Sequence, residues 1–206
     1  MNPAIQLKEQ IQNRRTTLGV LITDHLWPEL IEICQGAGMH YAIIDQEHGP
    51  HTDQEVAQAC QIGRLAGFPV LIRCLSTDYS VVRRAIDMGP CGLMLPCVDS
   101  AKQLDEVRQA VWLPPRGRRR PGGPGNQWMS NFQYETWRRE FEQHLIILPQ
   151  IESKTGLENV DEIVSHELVT ALAVGPYDLS ADLGCCWEPD SPIYQQAVNQ
   201  LRSASS

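Results

Sequence analysis

The sequence of 206 residues is most informative at first for what it lacks. It has no apolar run that approaches the roughly 18 residues of a membrane span, and residues 1–15 lack the apolar stretch of a signal peptide. The net charge of −8 argues against a nucleic-acid partner, because phosphates repel an acidic surface. We therefore expect one cytoplasmic domain over residues 1–206, with neither a membrane nor a nucleic acid as its partner.

Cysteine and lysine are present in patterns that exclude several kinds of chemistry. The seven cysteines form no Cys-x-x-Cys, and most stand in apolar surroundings, so we expect a reducing compartment and neither a disulfide framework nor a zinc site. Adjacent cysteines rarely bridge, so Cys185 and Cys186 receive no functional role. Only three lysines occur, and Lys154 is the one that strand alternation could place beside Glu152. We predict no Schiff base, and Lys154 is the one lysine on which that prediction has to be tested.

Apolar runs typical of buried strands alternate with helical patterns. Strands are predicted at residues 18–22, 41–45, 69–73, 92–96, 145–150 and 171–174. Helices are predicted at residues 28–37, 53–66, 79–88, 100–111, 156–165 and 192–202. Continuous apolar strands with helices between them indicate a parallel sheet that is covered on both faces.

The regular order of six βα units predicts the fold class. No Gly-x-Gly-x-x-Gly follows the first strand, which weakens a dinucleotide-binding doubly wound sheet. We predict an α/β fold of the TIM (β/α)8 type, with about six of its eight units in this chain. The first and last strands would then be edges with unpaired backbone groups, and we expect such a chain to self-associate or to be poorly stable.

Residues 114–143 interrupt this rhythm, because the segment is too long for a simple connection. It carries Arg116, Arg118, Arg119 and Arg120 before a stretch rich in proline and glycine, and a helix is predicted at 132–141. Two interpretations stay open: a solvated loop that makes a subunit contact, or a flap whose arginines meet an anionic substrate. No Gly-Lys-Ser/Thr closes the segment, so it is not a P-loop.

Two carboxylates follow predicted strands within a few residues. Glu152 comes after the fifth strand, and Asp178 comes shortly after the sixth. In parallel α/β folds this edge is where ligands bind. Mg²⁺ and Mn²⁺ prefer oxygen ligands and often take only one or two from the protein. We predict that Glu152 and Asp178 hold one divalent cation.

The second and third strands bring further polar residues to the same edge. His48 stands beside Asp45 and Glu47 before a glycine turn, and a histidine can exchange a proton near neutral pH. Arg73 ends an apolar strand and therefore needs an anionic partner. That partner is either Asp45 or Glu47 in an internal salt bridge, or a carboxylate or enolate oxygen of a substrate.

Six segments, taken in order, resemble one enzyme family. They are IDQEHGP at 44–50, VLIR at 70–73, DMG at 87–89, LPCVD at 95–99, QIESKT at 150–155 and GPYDLS at 175–180. Together they look like the HpcH/HpaI aldolases, the class II pyruvate aldolases of the 4-hydroxy-2-oxoheptanedioate aldolase type. The resemblance extends from about residue 18 to about residue 201.

The resemblance implies a (β/α)8 barrel, a homo-oligomer, and a reaction that cleaves 4-hydroxy-2-oxo acids to pyruvate and an aldehyde through a metal-stabilised enolate. It implies Mg²⁺ or Mn²⁺, with Co²⁺ as a further option, bound by Glu152 and Asp178. Arg73 would stabilise the enolate, while His48, oriented by Asp87, would move protons together with a water molecule. The resemblance assigns substrate contacts to Gln150 and to the backbone of Gly175, Pro176, Tyr177 and Asp178.

Two departures from the family pattern leave alternatives open. Family members usually continue through two further strands and helices, without which the barrel does not close. Tyr177 is also bulkier than the alanine or asparagine often found there, which would narrow the pocket. The alternatives are a related carbon–carbon lyase or condensing enzyme, of the 2-dehydro-3-deoxy-sugar-acid aldolase or citrate-forming type, and an inactive truncated barrel that persists as a binding module.

Overall fold

The computed structural model describes residues 1–120, 122–123, 127–128 and 133–205. Its six strands are all parallel, and each pairs with the next in chain order. They are β1 (Gly19–Ile22), β2 (Tyr41–Asp45), β3 (Val70–Arg73), β4 (Gly92–Leu95), β5 (Ile146–Ile151) and β6 (Ala173–Val174). A doubly wound sheet would reverse its strand order. The unbroken order and the curl of the sheet into a half-barrel confirm the predicted barrel-type α/β fold.

Helices connect the strands, and most of them cover the outer face of the sheet. They are α1 (Asn2–Gln12), α2 (Pro28–Gly36), α3 (Asp53–Ala66), α4 (Tyr79–Asp87), α5 (Ala101–Val111), α6 (Tyr134–Trp137), α7 (Lys154–Glu158), α8 (Val160–Val164), α9 (Pro176–Asp182) and α10 (Pro192–Ala204), and the π-helical turn Arg138–Glu142 continues α6. Helix α3 shows how local signals in the sequence determine where a helix begins and ends. It begins at a capping box between Thr52 and Glu55 and ends at Gly67, whose φ of 70° suits glycine.

The structure corrects the predicted boundaries in three places. The helix predicted at 156–165 is two short helices, which part at Asn159, where the side-chain amide donates a hydrogen bond to the Asp99 carbonyl (2.8 Å). The predicted last strand pairs only over Ala173–Val174. The helix predicted at 132–141 begins at Tyr134, because Gln133 before it has an extended backbone, and position 132 lies outside the described residues.

Two helices, α1 and α9, have no counterpart in the sequence predictions. Helix α1 is mostly polar, but its buried residues Ala4 and Leu7 pack on the inner face of the sheet against Ile43, Leu71 and Ile146. The outer face of the same strands forms a larger core with the connecting helices. Alternation along each strand therefore divides the protein into an outer core and a smaller inner core that α1 covers from the N-terminal end of the strands.

Part of the inner face stays open. A cavity of about 400 Å³ lies beside α1, with Tyr41, Leu71, Met94 and Leu148 in its wall. Within the described residues, β1 pairs only with β2 and β6 only with β5, so the expected edge strands are present. No helix in the described ranges is both long enough and apolar enough to cross a lipid bilayer.

We expect Gly92→Ala to destabilise the sheet, because Gly92 lies so close to β5 that a methyl group there would overlap the carbonyl oxygen of Ile146. Overpacking of this kind costs about 1–3 kcal/mol. Gly36→Ala is the matched control, since the same methyl group at the end of α2 meets open space and should be neutral or stabilise by about 0.5 kcal/mol. Thermal and urea unfolding measure both; equal stability of the two variants would contradict the close approach.

Candidate metal and substrate site

Strand alternation gathers four polar side chains at the carboxyl edge of the inner face. Along β5 the positions 146, 148, 150 and 152 share a face, and the last two are Gln150 and Glu152. On β2 and β3, Asp45 and Arg73 end the strands as register partners. All four are buried, although three of them carry a formal charge. Buried charges need partners, and their contacts show how each is satisfied.

Arg73 is held by two carboxylates. Its Nε and Nη2 donate to Asp45 Oδ1 and Oδ2 (2.8 and 2.5 Å), and its Nη1 lies 3.2 Å from Glu47 Oε2. Asp45 also accepts the Thr23 hydroxyl (3.0 Å) and the backbone N–H groups of Glu47 and His48 (3.0 and 3.3 Å). The predicted internal salt bridge of Arg73 is thus present, and it uses both of the carboxylates that the sequence offered.

The pKa values around Arg73 follow from burial set against charge. Burial would raise the pKa of Asp45. The hydrogen bonds from Arg73, the backbone N–H of His48 and the hydroxyl of Thr23, together with the charge of Arg73, hold this pKa below its usual value. Burial would likewise lower the pKa of Arg73, and the three carboxylates Asp45, Glu47 and Glu152 raise it instead. Glu47 differs, because its burial and its proximity to Glu152 raise its pKa despite Arg73. The pair Asp45–Arg73 is therefore firmly ionised.

Glu152 lies at the centre of a second group. Its Oε1 accepts the backbone N–H of Cys97 (2.6 Å), and its Oε2 accepts the side-chain amide of Gln150. One potential ligand atom from each of Glu47, Cys97 and Glu152 lies within 4.8 Å of the other two. The sequence had placed Glu47 at this edge but had not suggested Cys97, which only the turn after β4 brings there.

The residues around Glu152 fit a divalent cation. Asp45, Glu47 and Glu152 carry three negative charges against the one positive charge of Arg73, which leaves two negative charges in a partly buried place. The Oε1 atom of Gln150 is also buried, and it has no hydrogen-bond partner among the residues that the structure describes. A cation with its water shell would satisfy both, since hard divalent ions take oxygen ligands from carboxylates, amides and water.

The turn from β6 into α9 carries the remaining predicted substrate contacts, and its Gly175 reaches this place. Gly175 is buried against Glu152, so closely that a methyl group there would overlap the Glu152 carboxylate and crowd the Gln150 amide. Asp178 lies in the first turn of α9 and is exposed. It stands outside the group of Glu47, Cys97 and Glu152. Tyr177 is exposed and its ring lies 3.7 Å from that of Trp187.

The structure does not bring Asp87 to His48 within the described part of this chain. His48 follows β2 at the carboxyl edge and is exposed, with its Nε2 3.9 Å from Glu47 Oε1. Asp87 ends α4, which runs back toward the opposite edge of the sheet. There its carboxylate accepts hydrogen bonds from Arg119 (2.9 Å) and Arg83 (3.3 Å). The residue that the structure gives His48 as a charged neighbour is therefore Glu47.

The arginine-rich segment binds to its own chain. Arg119 is buried against Asp87, the Arg116 guanidinium lies 3.6 Å from the centre of the Trp112 ring, and Arg118 lies over the Tyr79 ring. These contacts favour an anchored segment over a flap that carries arginines to a substrate. Pro121, Pro124 and Gly125, which belong to the same prediction, lie outside the described residues.

A parallel barrel-type sheet with an arginine and acids at its carboxyl edge has the arrangement of the α/β-barrel enzymes, whose active sites lie at that edge. The chain belongs to the HpcH/HpaI aldolase/citrate lyase family, whose model matches residues 24–206. Proteins named as aldolases, which are carbon–carbon lyases, match most of its length, and this chain is an enzyme of that class.

Three known proteins illustrate the relationship. The chain is 30% identical over 202 residues to a 2-keto-3-deoxy-L-rhamnonate aldolase of Shigella boydii. The matched region covers 96% of this chain and 75% of that protein. It is 35% identical over 162 residues to a hydroxypyruvate/pyruvate aldolase of Deinococcus radiodurans, covering 76% of this chain and 57% of that protein. The crystal structure of an HpcH/HpaI aldolase from Desulfitobacterium hafniense superposes with a TM-score of 0.88 at 29% identity, over 96% of this chain and 76% of that one.

We expect Asp45→Asn to destabilise the protein by about 3 kcal/mol, because it leaves the buried Arg73 without its main counter-charge. Asp53→Asn removes the carboxylate from an exposed pair with Arg84 (2.7 Å) and should cost no more than about 1 kcal/mol. Urea unfolding at neutral pH compares the two. Similar losses in both variants would show that the buried pair contributes no more than a surface one.

Proposed function

We propose that the protein is a divalent-metal-dependent aldolase that cleaves 4-hydroxy-2-oxo acids to pyruvate and an aldehyde. The proposal depends on one observation: Arg73 and Glu152 are both buried at the carboxyl edge of the inner face, close enough for the charge of Glu152 to raise the pKa of Arg73. Cleavage of a carbon–carbon bond beside a ketone places negative charge on the ketone oxygen. A site for this reaction needs fixed positive charge beside that oxygen. Arg73 supplies a guanidinium, and Glu152 supplies a ligand for a cation.

Glu152 and Asp178 are the proposed cation ligands. Glu152 is held in place from two sides, by the Cys97 N–H and the Gln150 amide, so its carboxylate is oriented before any ligand binds. Asp178 is exposed in the first turn of α9, three residues after the glycine that packs on Glu152. A bound Mg²⁺, Mn²⁺ or Co²⁺ would act as a Lewis acid toward the ketone oxygen. The backbone from Gly175 to Asp178 would receive the carboxylate of the 2-oxo acid.

Arg73 is the proposed stabiliser of the developing negative charge. Two of its five N–H donors bind Asp45 and its Nη1 lies 3.2 Å from Glu47 Oε2, which fixes the plane of the guanidinium. A positive charge held in a fixed orientation lowers the energy of a charged transition state without reorganisation. Burial on the inner face strengthens this effect, because water screens less there.

His48 is the proposed group that takes the proton of the distal hydroxyl. It stands at the same edge, is open to solvent, and has Glu47 as its charged neighbour at 3.9 Å. The role of orienting His48 that was expected for Asp87 would fall, within this chain, to Glu47. Gln150 would contact the substrate through its amide oxygen, which no described residue of the chain engages in a hydrogen bond.

The substrate class is tested by a pyruvate-release assay. The panel contains 4-hydroxy-2-oxo acids with short aldehyde halves and 2-keto-3-deoxy sugar acids, because the Shigella boydii relative is named for one of these. We expect release to need added Mn²⁺ and to stop with a chelator. Glu152→Gln should lose at least tenfold in rate. Glu158→Gln, which changes an exposed acid six residues away, should not.

Trapping with borohydride distinguishes the proposed metal mechanism from that of a Schiff-base aldolase. Lys154 is exposed at the start of α7, and its backbone N–H donates to Asp182 (2.6 Å). Borohydride added with pyruvate should leave the protein mass unchanged. Turnover that persists with chelator, together with a pyruvyl adduct on Lys154, would replace the metal mechanism by an imine mechanism.

Arg73→Lys tests whether the guanidinium serves the transition state. Lysine keeps the charge but lacks the planar fork that engages Asp45 and Glu47 together. We expect kcat to fall at least tenfold, which corresponds to about 1.4 kcal/mol, with a smaller change in KM. Arg84→Lys, in an exposed pair with Asp53, is the matched control. Normal kcat with a raised KM would make Arg73 a ground-state anchor instead.

A further inference from the structure

An aromatic pair, Tyr177 and Trp187, is exposed beside the proposed site. The two side chains are 55% and 65% exposed, and their ring centres lie 3.7 Å apart with an angle of 41° between the ring planes. Large apolar side chains that are exposed together mark places where a ligand or another protein binds. The proposed function uses the backbone of Tyr177 and neither of the two rings.

The chain holds the aromatic pair in a defined arrangement. The hydroxyl of Ser180, a residue only 3% exposed, donates to the Tyr177 carbonyl (2.9 Å) and accepts the Trp187 N–H (3.3 Å). Trp187 has a φ of 64°, in the left-handed region that bulky residues rarely adopt. A bulky, exposed side chain on a strained backbone is more typical of a functional site than of a fold-stabilising position.

The aromatic pair stands where the outer end of a bound 2-oxo acid would extend. Gly175 packs on the Glu152 carboxylate, and Tyr177 follows two residues later. Side chains in a helix lean toward its N-terminus, so the Tyr177 ring leans toward the end of α9 that meets Glu152. Because Arg73 and Glu152 are buried, a substrate that they hold by its 2-oxo acid end extends its other end outward, to the exposed side.

We propose that the aromatic pair contacts the aldehyde half of the substrate, and that it makes the enzyme prefer aromatic or branched aliphatic aldehyde halves over polyhydroxylated ones. Aromatic rings pack on apolar groups and on other rings and exclude water from them. A hydroxylated chain placed there would lose hydrogen bonds to water, and the two rings offer it the Tyr177 hydroxyl and the Trp187 indole N–H in exchange. The inference rests on the proposed function, because it names the substrate class of that same site.

Two substrates with the same 4-hydroxy-2-oxo acid head compare these classes. One carries a phenyl group on its fourth carbon and releases benzaldehyde, and the other is a 2-keto-3-deoxy sugar acid that releases glyceraldehyde. With Mn²⁺ present, we expect the wild-type kcat/KM to be higher for the phenyl substrate by about tenfold or more. Trp187→Ala should lose most of this preference by lowering kcat/KM for the phenyl substrate alone. Trp187→Phe, which keeps a ring, should retain it.

Further variants separate the ring from the stability of the fold. Trp187→Gly removes the ring and the backbone strain together, so it should be at least as stable as Trp187→Ala and should lose the same preference. Leu65→Ala changes a similarly exposed apolar residue near the C-terminal end of α3 and should alter kcat/KM for neither substrate. Calorimetry with Mn²⁺ and 2-oxo-4-phenylbutanoate, which lacks the hydroxyl that cleavage needs, measures the preference for the phenyl group over pyruvate without turnover.

The outcomes separate this inference from the function on which it rests. Pyruvate release with equal kcat/KM from both substrates, or a preference that survives in Trp187→Ala and Trp187→Gly, overturns the inference and leaves the proposed aldolase in place. If Trp187→Ala changes the oligomeric state in sedimentation but not the preference, the aromatic pair belongs to a subunit contact and the inference is equally wrong. If neither substrate yields pyruvate and the phenyl analogue does not bind, the proposed function and the inference both fall.

Discussion

The buried ion pair between Asp45 and Arg73 is the interaction on which the site depends. It joins the ends of two neighbouring strands with two hydrogen bonds, and Asp45 also orders the following turn by accepting two backbone N–H groups. That turn carries Glu47 and His48. Because an unpaired charge in this place would be very costly, the pair has one satisfactory arrangement. It thereby fixes Arg73, Glu47 and the start of the loop at once.

The inner face of the sheet is divided along its length. At the N-terminal end, α1 covers apolar residues such as Leu71 and Ile146, and at the carboxyl end the same rows finish in Arg73, Gln150 and Glu152. The change from apolar to polar takes place over one or two positions in each strand. The carboxylates and the arginine therefore interact in a place that water reaches poorly, which explains why their pKa values depart from the usual ones.

Sequence patterns predicted the fold where the structure is periodic and capped. Strand β2 and helix α3 have the predicted bounds, because strong burial and clear end signals coincide there. Prediction was weaker where tertiary contacts decide. Helix α1 has few apolar residues, and the break between α7 and α8 depends on a contact between Asn159 and a carbonyl 60 residues away.

The site was predicted in part for the same reason. Residues at or just beyond the ends of apolar strands, such as Arg73 and Glu152, could be placed at one edge from topology alone. Cys97 could not be singled out, since rules for metal-binding cysteines look for paired spacing and this thiol is alone. We expected Asp87 to orient His48, but within the described chain His48 lies beside Glu47 and Asp87 lies beside Arg119, at opposite ends of their βα units. Spacing along the sequence does not reveal this separation.

At Cys97 the conformation of the backbone and the chemistry of the side chain favour different residue types. At a φ of 52° a glycine would be free of strain, whereas a residue with a Cβ pays of the order of 1 kcal/mol or more. A sequence optimised for folding alone would therefore place glycine or asparagine at this turn. The cysteine gives up stability at a point where its side chain meets two carboxylates, so position 97 is one where selection for folding and selection for chemistry would act in opposite directions.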